Sequence, residues 1–364
     1  MGAYIAIMAG GTGGHVFPAL AVAEHLRNHG AQIVWIGTRQ GMEAHLVPEH
    51  GFEIEWLCVE GLRGKRLVQR LWTPFRVLGS LWQAHQILRR RRPALVLGMG
   101  GFVSGPGGLA ARLLGLPLVI HEQNVIPGLT NQWLSRIATQ VFEAFPGSFP
   151  NRCRALATGN PVRQTILDLP PPAERLSGRV GARRLLVLGG SLGAQALNGM
   201  LPAALSAMPV AARPEVRHQA GERTLAAARD AYREAGVAAE VTPFIRDMAE
   251  AYAWADLVVC RAGALTVSEL AAAGVASVLV PYPFAVDDHQ TGNARYLADA
   301  GAARLVIQHD LTAAGLTALL TELLGDHVML LAMAERARAL AKPDAAARIA
   351  ATCLTLAHAG ITAR

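Results

Sequence analysis

Two stretches of this chain share one pattern, and that pattern restricts the fold more than any other feature. A short apolar run, Tyr4–Ala9, leads into Gly10-Gly11-Thr12-Gly13-Gly14-His15 and then a helical pattern opening near Pro18. Far downstream, Leu185–Leu188 leads into Gly189-Gly190-Ser191-Leu192-Gly193-Ala194 and a helical pattern from Gln195. Glycines at such a turn let the backbone reverse tightly and leave room for a ligand against main-chain N–H groups. A strand, a glycine loop and a helix together open a doubly wound α/β domain, so the repeat predicts two of them. The length of 364 residues agrees, because a single core rarely grows beyond about 250–300 residues.

The intervening pattern supports this. Strands are expected at Gln32–Ile36, Phe52–Val59, Leu95–Met99, Pro117–His121 and Gln140–Phe145, with helices such as Phe17–Asn28, Met42–His50, Phe75–Arg90, Gly107–Leu114 and Thr130–Ile137 between them. Continuous apolar strands alternating with helices indicate a parallel sheet covered on both faces. Ligands of such sheets sit beyond the carboxyl ends of the strands, where this chain carries Gly10–His15, Gly98–Gly101 with Ser104, and His121-Glu122-Gln123-Asn124. A Pro-, Gly- and Arg-rich connector, Leu169–Pro172 with Ser177–Arg184, follows Gly159-Asn160-Pro161-Val162-Arg163. The expected domains are residues 1–163 and 164–342, facing each other across a cleft, with a last helix at about 343–364 packing back on the first.

Composition narrows the partners. The chain is 52% hydrophobic and 17% charged, which marks a globular protein, and its net charge of +7 is modest. Apart from Arg89–Arg92 there is no single-sign block of the kind that binds nucleic acid, so no nucleic-acid partner is expected. Cys58, Cys153, Cys260 and Cys353 are scattered without CxxC pairing and read as small buried residues in a reducing cytosol. No signal-peptide pattern precedes the first strand, and Pro93–Ala111, a long uncharged stretch, is broken by glycines and Pro106. A cytosolic protein, or one resting on a membrane surface, is the expectation.

His15 is the titratable side chain of the first loop, and an imidazole suits proton transfer near neutrality; a bare tight turn with a solvated histidine is the plainer alternative. The loop lacks the third glycine of GxGxxG, the second strand ends in Gly37-Thr38 with no acid for a ribose, and no GxxxxGK[ST] occurs, so dinucleotide and P-loop readings are weak. No Asp-x-Asp occurs, which argues against an obligatory metal clamp on a diphosphate; helix N-termini and arginine are the remaining counter-charges. Arg261–Glu269 follows a strand directly and offers N–H groups to a phosphate, with Glu269 placed either to accept ribose hydroxyls or to cap its own helix. Asp287-Asp288-His289-Gln290 with Asn293 suits sugar hydroxyls, or begins a helix with an aspartate cap. Arg66, Arg70, Arg76 and Arg89–Arg92 flank Leu71, Trp72, Phe75, Leu78, Leu81 and Trp82, a stretch that fits an anionic lipid surface or, alternatively, a core-facing helix with solvated arginines.

Taken together, Gly10–His15 with Phe17-Pro18, Gly98–Pro106, His121–Asn124, Gly159–Arg163, Gly189–Ala194 and Arg261–Glu269 resemble the MurG family of bacterial peptidoglycan glycosyltransferases over essentially the whole chain. The resemblance implies a two-domain GT-B fold and inverting transfer of N-acetylglucosamine from UDP-GlcNAc to the 4-hydroxyl of the undecaprenyl-linked muramoyl-pentapeptide, lipid I, giving lipid II. It implies donor contacts at Ser191, Ile245, Ala264, Leu265, Thr266, Val267, Ser268, Glu269 and Gln290, with Arg261 and Asn293 as further candidates. In that reading Ile245 meets uracil through its backbone, Glu269 holds the ribose, and Thr12, Gly13, Gly14, Asn124 and Arg163 complete the site from the first domain. His15 matches the family's general base, with Glu122 as a second candidate or as the group that orients His15. Leu192 stands where relatives can carry Gln, which removes a side-chain role there. Trp72, Phe75, Leu78, Trp82, Arg70 and Arg76 become membrane contacts on the cytoplasmic face of the inner membrane, the domains close on the donor, and cell-wall synthesis and division proteins become partners. No cofactor is implied, although Mg2+ could stimulate. Another GT-B enzyme acting on UDP-sugars, such as a lipid glycosyltransferase or a UDP-GlcNAc 2-epimerase, and a non-catalytic UDP-GlcNAc sensor stand as alternatives.

Overall fold

The computed structural model describes residues 2–59, 73–190 and 194–362, with the side chains of 73–76, 286 and 360–362 excepted. The chain divides into two compact units, Met1–Arg163 with Lys342–Arg364, and Gln164–Ala341.

The first unit alternates strands β1 (Tyr4–Met8), β2 (Gln32–Gly37), β3 (Glu53–Trp56), β4 (Leu95–Gly98), β5 (Leu118–Glu122), β6 (Gln140–Glu143) and β7 (Leu156–Ala157) with helices α1 (Gly13–Asn28), α2 (Glu43–Glu49), α3 (Thr73–Arg91), α4 (Ser104–Leu113) and α5 (Leu129–Leu134). All strand pairs are parallel, in the order β3-β2-β1-β4-β5-β6-β7. The chain reverses direction between β1 and β4, so the loops after these two strands flank the switch point where ligands bind in such sheets. The central strands are buried apart from the half-buried Tyr4, which is why they read as mainly apolar runs.

Helix α1 begins at Gly13, not near Pro18. The first amides of a helix have no partner within it, so two glycines at its start cost little helical stability, and His15 belongs to the first turn of the helix instead of a free loop. Cys58 is exposed and Cys153 half-buried, which corrects the expectation of four buried thiols; only Cys260 and Cys353 are buried, and burial pushes both up to about 12.

The second unit orders β8 (Arg184–Leu188), β9 (Glu215–Gln219), β10 (Glu240–Thr242), β11 (Leu257–Cys260), β12 (Ala276–Leu279) and β13 (Ala303–Leu305) as β10-β9-β8-β11-β12-β13, again all parallel. Its helices are α6 (Gln164–Leu167), α7 (Pro172–Leu176), α8 (Gln195–Ser206), α9 (Leu225–Glu234), α10 (Met248–Trp254), α11 (Ala264–Ala273), α12 (His289–Ala298), α13 (Ala313–Gly325) and α14 (His327–Ala339). The switch point lies between β8 and β11. The expected connector at 169–184 is part of this unit. Arg175 donates to the carbonyls of Ala273 and Gly274 at the end of α11, and Arg179 to those of Ala253 and Trp254 at the end of α10 and to Asp256 at 2.5 Å. Guanidinium groups fit there because the last carbonyls of a helix lack partners and carry the negative end of its dipole. A final helix, α15 (Ala345–Thr362), returns to the first unit and buries Ala346, Ile349, Ala350, Cys353 and Ala357 against α1. That three-to-four-residue spacing is one stripe of a helix.

His218 is fully buried on β9, with Nδ1 3.0 Å from the Tyr232 hydroxyl and Nε2 3.0 Å from Asn198 Oδ1. Burial pushes it down to about 4, from the ordinary histidine value of about 6.5. Below pH 6.5 the unfolded chain takes up a proton that the folded one refuses, so stability falls as pH drops from 6.5 towards 4. At pH 5 the expected loss from this residue is about 2 kcal/mol relative to pH 7. Urea titrations of the parent and His218→Gln at both pH values test this; an equal pH dependence in the two would show that His218 does not carry it.

Candidate active site

Thr12 is the N-cap of α1, its backbone extended and its carbonyl accepting the His15 and Val16 amides at 3.1 and 3.3 Å. Gly13 and Gly14 therefore supply the first two amides of the helix, at the positive end of its dipole, and no acidic residue occupies that turn. A second loop supports the first from below. Glu43, fully buried at the start of α2, accepts the Gly11 amide at 2.9 Å through one oxygen. Its other oxygen accepts the Thr38 amide at 2.9 Å and the Thr38 hydroxyl at 2.7 Å. One carboxylate thus ties the loop after β1 to the loop after β2.

The Gly98–Gly101 motif forms the seat of the histidine. A Cβ at Gly100 would lie 2.4 Å from His15 Nδ1, and one at Gly101 would lie 2.3 Å from the Gly10 carbonyl oxygen. Both residues also have positive φ, 96° and 80°, so these two positions require glycine for space and for backbone conformation. Ser104 closes the motif, its hydroxyl 2.9 Å from the Gly100 carbonyl.

The end of β5 completes this half. His15 Nδ1 is 3.0 Å from Gln123 Oε1, and Gln123 is buried. Gln123 Nε2 donates to the Met99 carbonyl at 2.8 Å and lies 3.2 Å from Nδ1 of His121. His121 is fully buried, its Nε2 3.0 Å from the Gly159 carbonyl. Burial pushes His121 down to about 4, with the hydrogen bond to Gly159 opposing and the charge of His15 adding to the shift. Glu122 does not orient His15, which corrects that expectation. Its two oxygens accept the Asn124 amide and carboxamide, the Gly128 amide and the Asn131 carboxamide, at 2.8–3.2 Å. Strand alternation explains the exchange: neighbours in β5 point to opposite faces, so Glu122 turns towards the loop ahead of α5 while Gln123, just past the strand end, turns towards His15. Asn124 is engaged with Glu122, and Arg163 lies with its guanidinium 4.8 Å from the centre of the Phe17 ring on α1.

In the second unit, Gly263 caps α11 immediately beyond β11, so the amides of Ala264 and Leu265 open the helix next to the switch point. Glu269 lies in the second turn, not the first, which overturns the capping alternative. It is only 5% exposed, and Oε2 accepts the Tyr252 hydroxyl at 3.1 Å. The side chain of Val267 is fully buried and its amide pairs with the Gly263 carbonyl. A Cβ at Gly263 would lie 3.6 Å from the Thr266 hydroxyl, and the Ser268 hydroxyl folds back on the Ala264 carbonyl at 3.0 Å. Ile245 is half-buried in the loop after β10. Arg261 and Asn293 act as braces. Arg261 donates to the carbonyls of Val280 and Pro281 at 3.1 Å and to Gln308 at 2.6 Å, and Asn293 donates to the Ala262 carbonyl at 3.2 Å. Gln290 Oε1 accepts the Tyr282 amide at 2.9 Å. Asp288 precedes α12 with φ 52°, and its carboxylate takes the Thr291 hydroxyl at 2.7 Å instead of capping a backbone amide. Ser191 lies outside the described residues.

The first unit also presents apolar side chains to solvent. Leu78 (60% exposed) and Trp82 (67%) protrude from α3, Leu113 (64%) from α4 and Trp133 (66%) from α5; α3 packs on α4 and α4 on α5. Arg136 stacks over the Trp133 ring at 4.4 Å. Leu81 is only partly buried and packs on the core. Arg66, Arg70, Leu71 and Trp72 lie outside the described residues, as do the side chains of Phe75 and Arg76. The Arg89–Arg92 run is not wholly available to lipid. Arg90 pairs with Glu55 at 2.7 Å, and Arg91 pairs with both Glu53 and Glu55. Burial raises the Glu55 carboxyl, but hydrogen bonds from both arginines outweigh it and hold the group below the usual range. Among the described residues no single helix is long and apolar enough to cross a membrane.

The sequence reading missed Gln123, Glu43 and Tyr252. Gln123 had a signal, lying inside the quoted His121–Asn124 motif, but nothing in a linear string says which of four polar neighbours faces a histidine 108 positions away. Glu43 and Tyr252 carry no motif at all.

Comparison with known proteins gives a consistent family. The glycosyltransferase family 28 N-terminal domain matches residues 5–143, and the glycosyltransferase family 28 C-terminal domain matches residues 184–349. A protein of Marinobacter nauticus named UDP-N-acetylglucosamine--N-acetylmuramyl-(pentapeptide) pyrophosphoryl-undecaprenol N-acetylglucosamine transferase is 55% identical over 352 residues, 97% of each chain. One of the same name from Alkalilimnicola ehrlichii is 56% identical, covering 96% of this chain and 98% of its own. The crystal structure of Acinetobacter baumannii MurG superimposes with a TM-score of 0.82 at 43% identity, over 97% of this chain and 99% of that one. A UDP-N-acetylglucosamine 2-epimerase structure matches with a TM-score of 0.65 at 12% identity, over 96% of this chain and 95% of that one, a likeness of fold alone.

Proposed function

Since the chain belongs to glycosyltransferase family 28, and within it to the MurG enzymes, we infer that it transfers N-acetylglucosamine from UDP-GlcNAc to lipid I and so forms lipid II. The observation that carries this is identity of 55–56% with enzymes of that name along almost the entire length of both chains. We assign the acceptor oxygen to the muramoyl 4-hydroxyl and His15 to its deprotonation. In that step the O–H bond breaks towards the imidazole as the oxygen attacks the anomeric carbon, and the carbon–phosphate oxygen bond breaks with its electron pair leaving on UDP. The first amides of α11 face the growing diphosphate charge, a placement in which a helix N-terminus is worth most because it needs no reorganisation. Glu269, held by Tyr252, accepts the ribose hydroxyls, and Gln290, its oxygen already taken, presents N–H donors to the sugar. No resident metal is assigned to this step.

Incubation of the protein with UDP-GlcNAc and a lipid I analogue tests the function. The expected products are UDP and a β-1,4-linked disaccharide on the lipid. Formation of UDP-ManNAc would identify an epimerase, and donor binding without turnover a sensor.

We further propose that the exposed face of α3, α4 and α5 rests on anionic lipid, which would place a peripheral enzyme beside a polyprenyl-linked acceptor on the cytoplasmic face of the inner membrane, within reach of cell-wall synthesis and division proteins. Leu78 and Trp82 are the side chains to test, because exposed apolar groups beside arginine partition into an interface. Removing an apolar contact of about 1.5–3 kcal/mol predicts roughly 10- to 150-fold weaker vesicle binding for each. Sedimentation with phosphatidylglycerol vesicles of Leu78→Ser and Trp82→Ser, alongside the parent, reads this directly. Unchanged partitioning of both would place the membrane face elsewhere.

A further inference from the structure

We propose that Gln123 fixes the tautomer of His15, holding the ring proton on Nδ1 and leaving the Nε2 lone pair as the nitrogen that receives the acceptor's proton. The inference rests on the reading of His15 as the base and adds which of its atoms acts and what selects it. The Met99 carbonyl, 2.8 Å from one end of the Gln123 carboxamide, can only accept a hydrogen bond, so that end is the NH2 group. The other end, 3.0 Å from His15 Nδ1, is therefore the oxygen. An oxygen facing an imidazole nitrogen requires the hydrogen to be on that nitrogen.

His121 fixes the same orientation independently. Its Nε2 faces the Gly159 carbonyl at 3.0 Å and must carry a proton, so a neutral ring keeps a lone pair on Nδ1, 3.2 Å from Gln123 Nε2. Burial keeps that ring neutral at physiological pH. The chain of donors thus runs in one direction: His15 Nδ1–H to the Gln123 oxygen, the Gln123 N–H to His121 Nδ1, and His121 Nε2–H to the Gly159 carbonyl. A turned-over carboxamide would set its oxygen against the Met99 carbonyl and against the lone pair of His121 Nδ1, so both neighbours oppose it. Asn160 anchors the same residue through its backbone, donating to the Gln123 carbonyl at 3.0 Å. Gly100 permits the contact, since any side chain there would occupy the space beside His15 Nδ1. Gln123 touches no substrate in this scheme; it is a positioning residue.

Nitrogen-15 spectra of the histidine-labelled full chain, with the His15 signals identified by their loss in His15→Gln, test the proposal. His15 in the neutral parent is expected to show a protonated Nδ1 and a bare Nε2. Gln123→Met, similar in length and without hydrogen bonds, is expected to mix the two tautomers. It should also lower kcat about 10- to 100-fold, with KM for UDP-GlcNAc unchanged, because the base is misdirected while the donor site is untouched. Gln123→Glu, with a carboxyl proton on the oxygen that meets the Met99 carbonyl, keeps an oxygen acceptor for His15 Nδ1 and is expected to restore the parent tautomer, so the spectra decide even if the Met variant folds poorly. A parent ring carrying its proton on Nε2, or Gln123→Met with parental kcat, would overturn the assignment. Full turnover in His15→Ala would sink the base itself, a separate failure that leaves the tautomer measurement standing.

Discussion

Turnover of His15→Gln is expected to fall by about 10²–10⁴-fold, with KM for UDP-GlcNAc close to that of the parent, the range typical for loss of a positioned general base. Glutamine keeps a polar group beside Gln123 but has no nitrogen basic enough to hold a proton near neutrality. The ribose and diphosphate contacts proposed above belong to the second unit, so on that proposal the loss belongs in kcat. Steady-state kinetics with varied donor and a saturating lipid I analogue separates the two parameters. A change confined to KM would mean that His15 binds substrate and that another group takes the proton. Glu122 is poorly placed for that duty, because its oxygens already accept four hydrogen bonds from the loop ahead of α5.

Glu269→Gln is expected to produce the opposite signature. Hydrogen bonds to a charged group contribute about 1.5–3 kcal/mol, so weakening two ribose contacts raises KM for UDP-GlcNAc roughly 10- to 100-fold and leaves kcat within a few-fold. Calorimetric titration with UDP alone should show the same loss of affinity, since uridine diphosphate carries the ribose but no sugar. The substitution to Gln is preferred to Ala because Glu269 is buried and Tyr252 donates to it; an apolar replacement would remove this acceptor from the hydroxyl and mix instability with lost affinity. Tyr252→Phe, which removes one hydrogen bond to the carboxylate and keeps the carboxylate itself, should weaken UDP binding by a smaller factor. Parental affinity in Glu269→Gln would remove the ribose assignment. The two variants together separate donor recognition from proton transfer by which kinetic parameter moves.

Where sequence reading succeeded and where it stopped follows from the range of the forces involved. Gly10–His15, Gly98–Gly101 and Arg261–Glu269 were visible as loops because strand, turn and helix propensities act over a few residues, and the parallel sheets because buried strands are apolar on both faces. Helix starts were misplaced where the deciding group was distant or atypical: α1 begins on glycines, which propensity alone rejects. The aromatic stretch at α3 is legible as amphipathic, yet only packing shows that Leu81 turns inward while Leu78 and Trp82 face solvent, and that β3 carboxylates claim Arg90 and Arg91.

The sequence by itself determined the two-unit α/β plan, the loops that face ligands, and the residue types able to do the chemistry, since each depends on neighbours along the chain. Tertiary structure alone decided which polar group meets which: Gln123 on His15 in place of Glu122, Tyr252 on Glu269, and Glu43 beneath the first glycine loop. Hydrogen bonds form between atoms about 3 Å apart whatever their separation in the chain, and that distance is set by how the sheet brings its strand ends together.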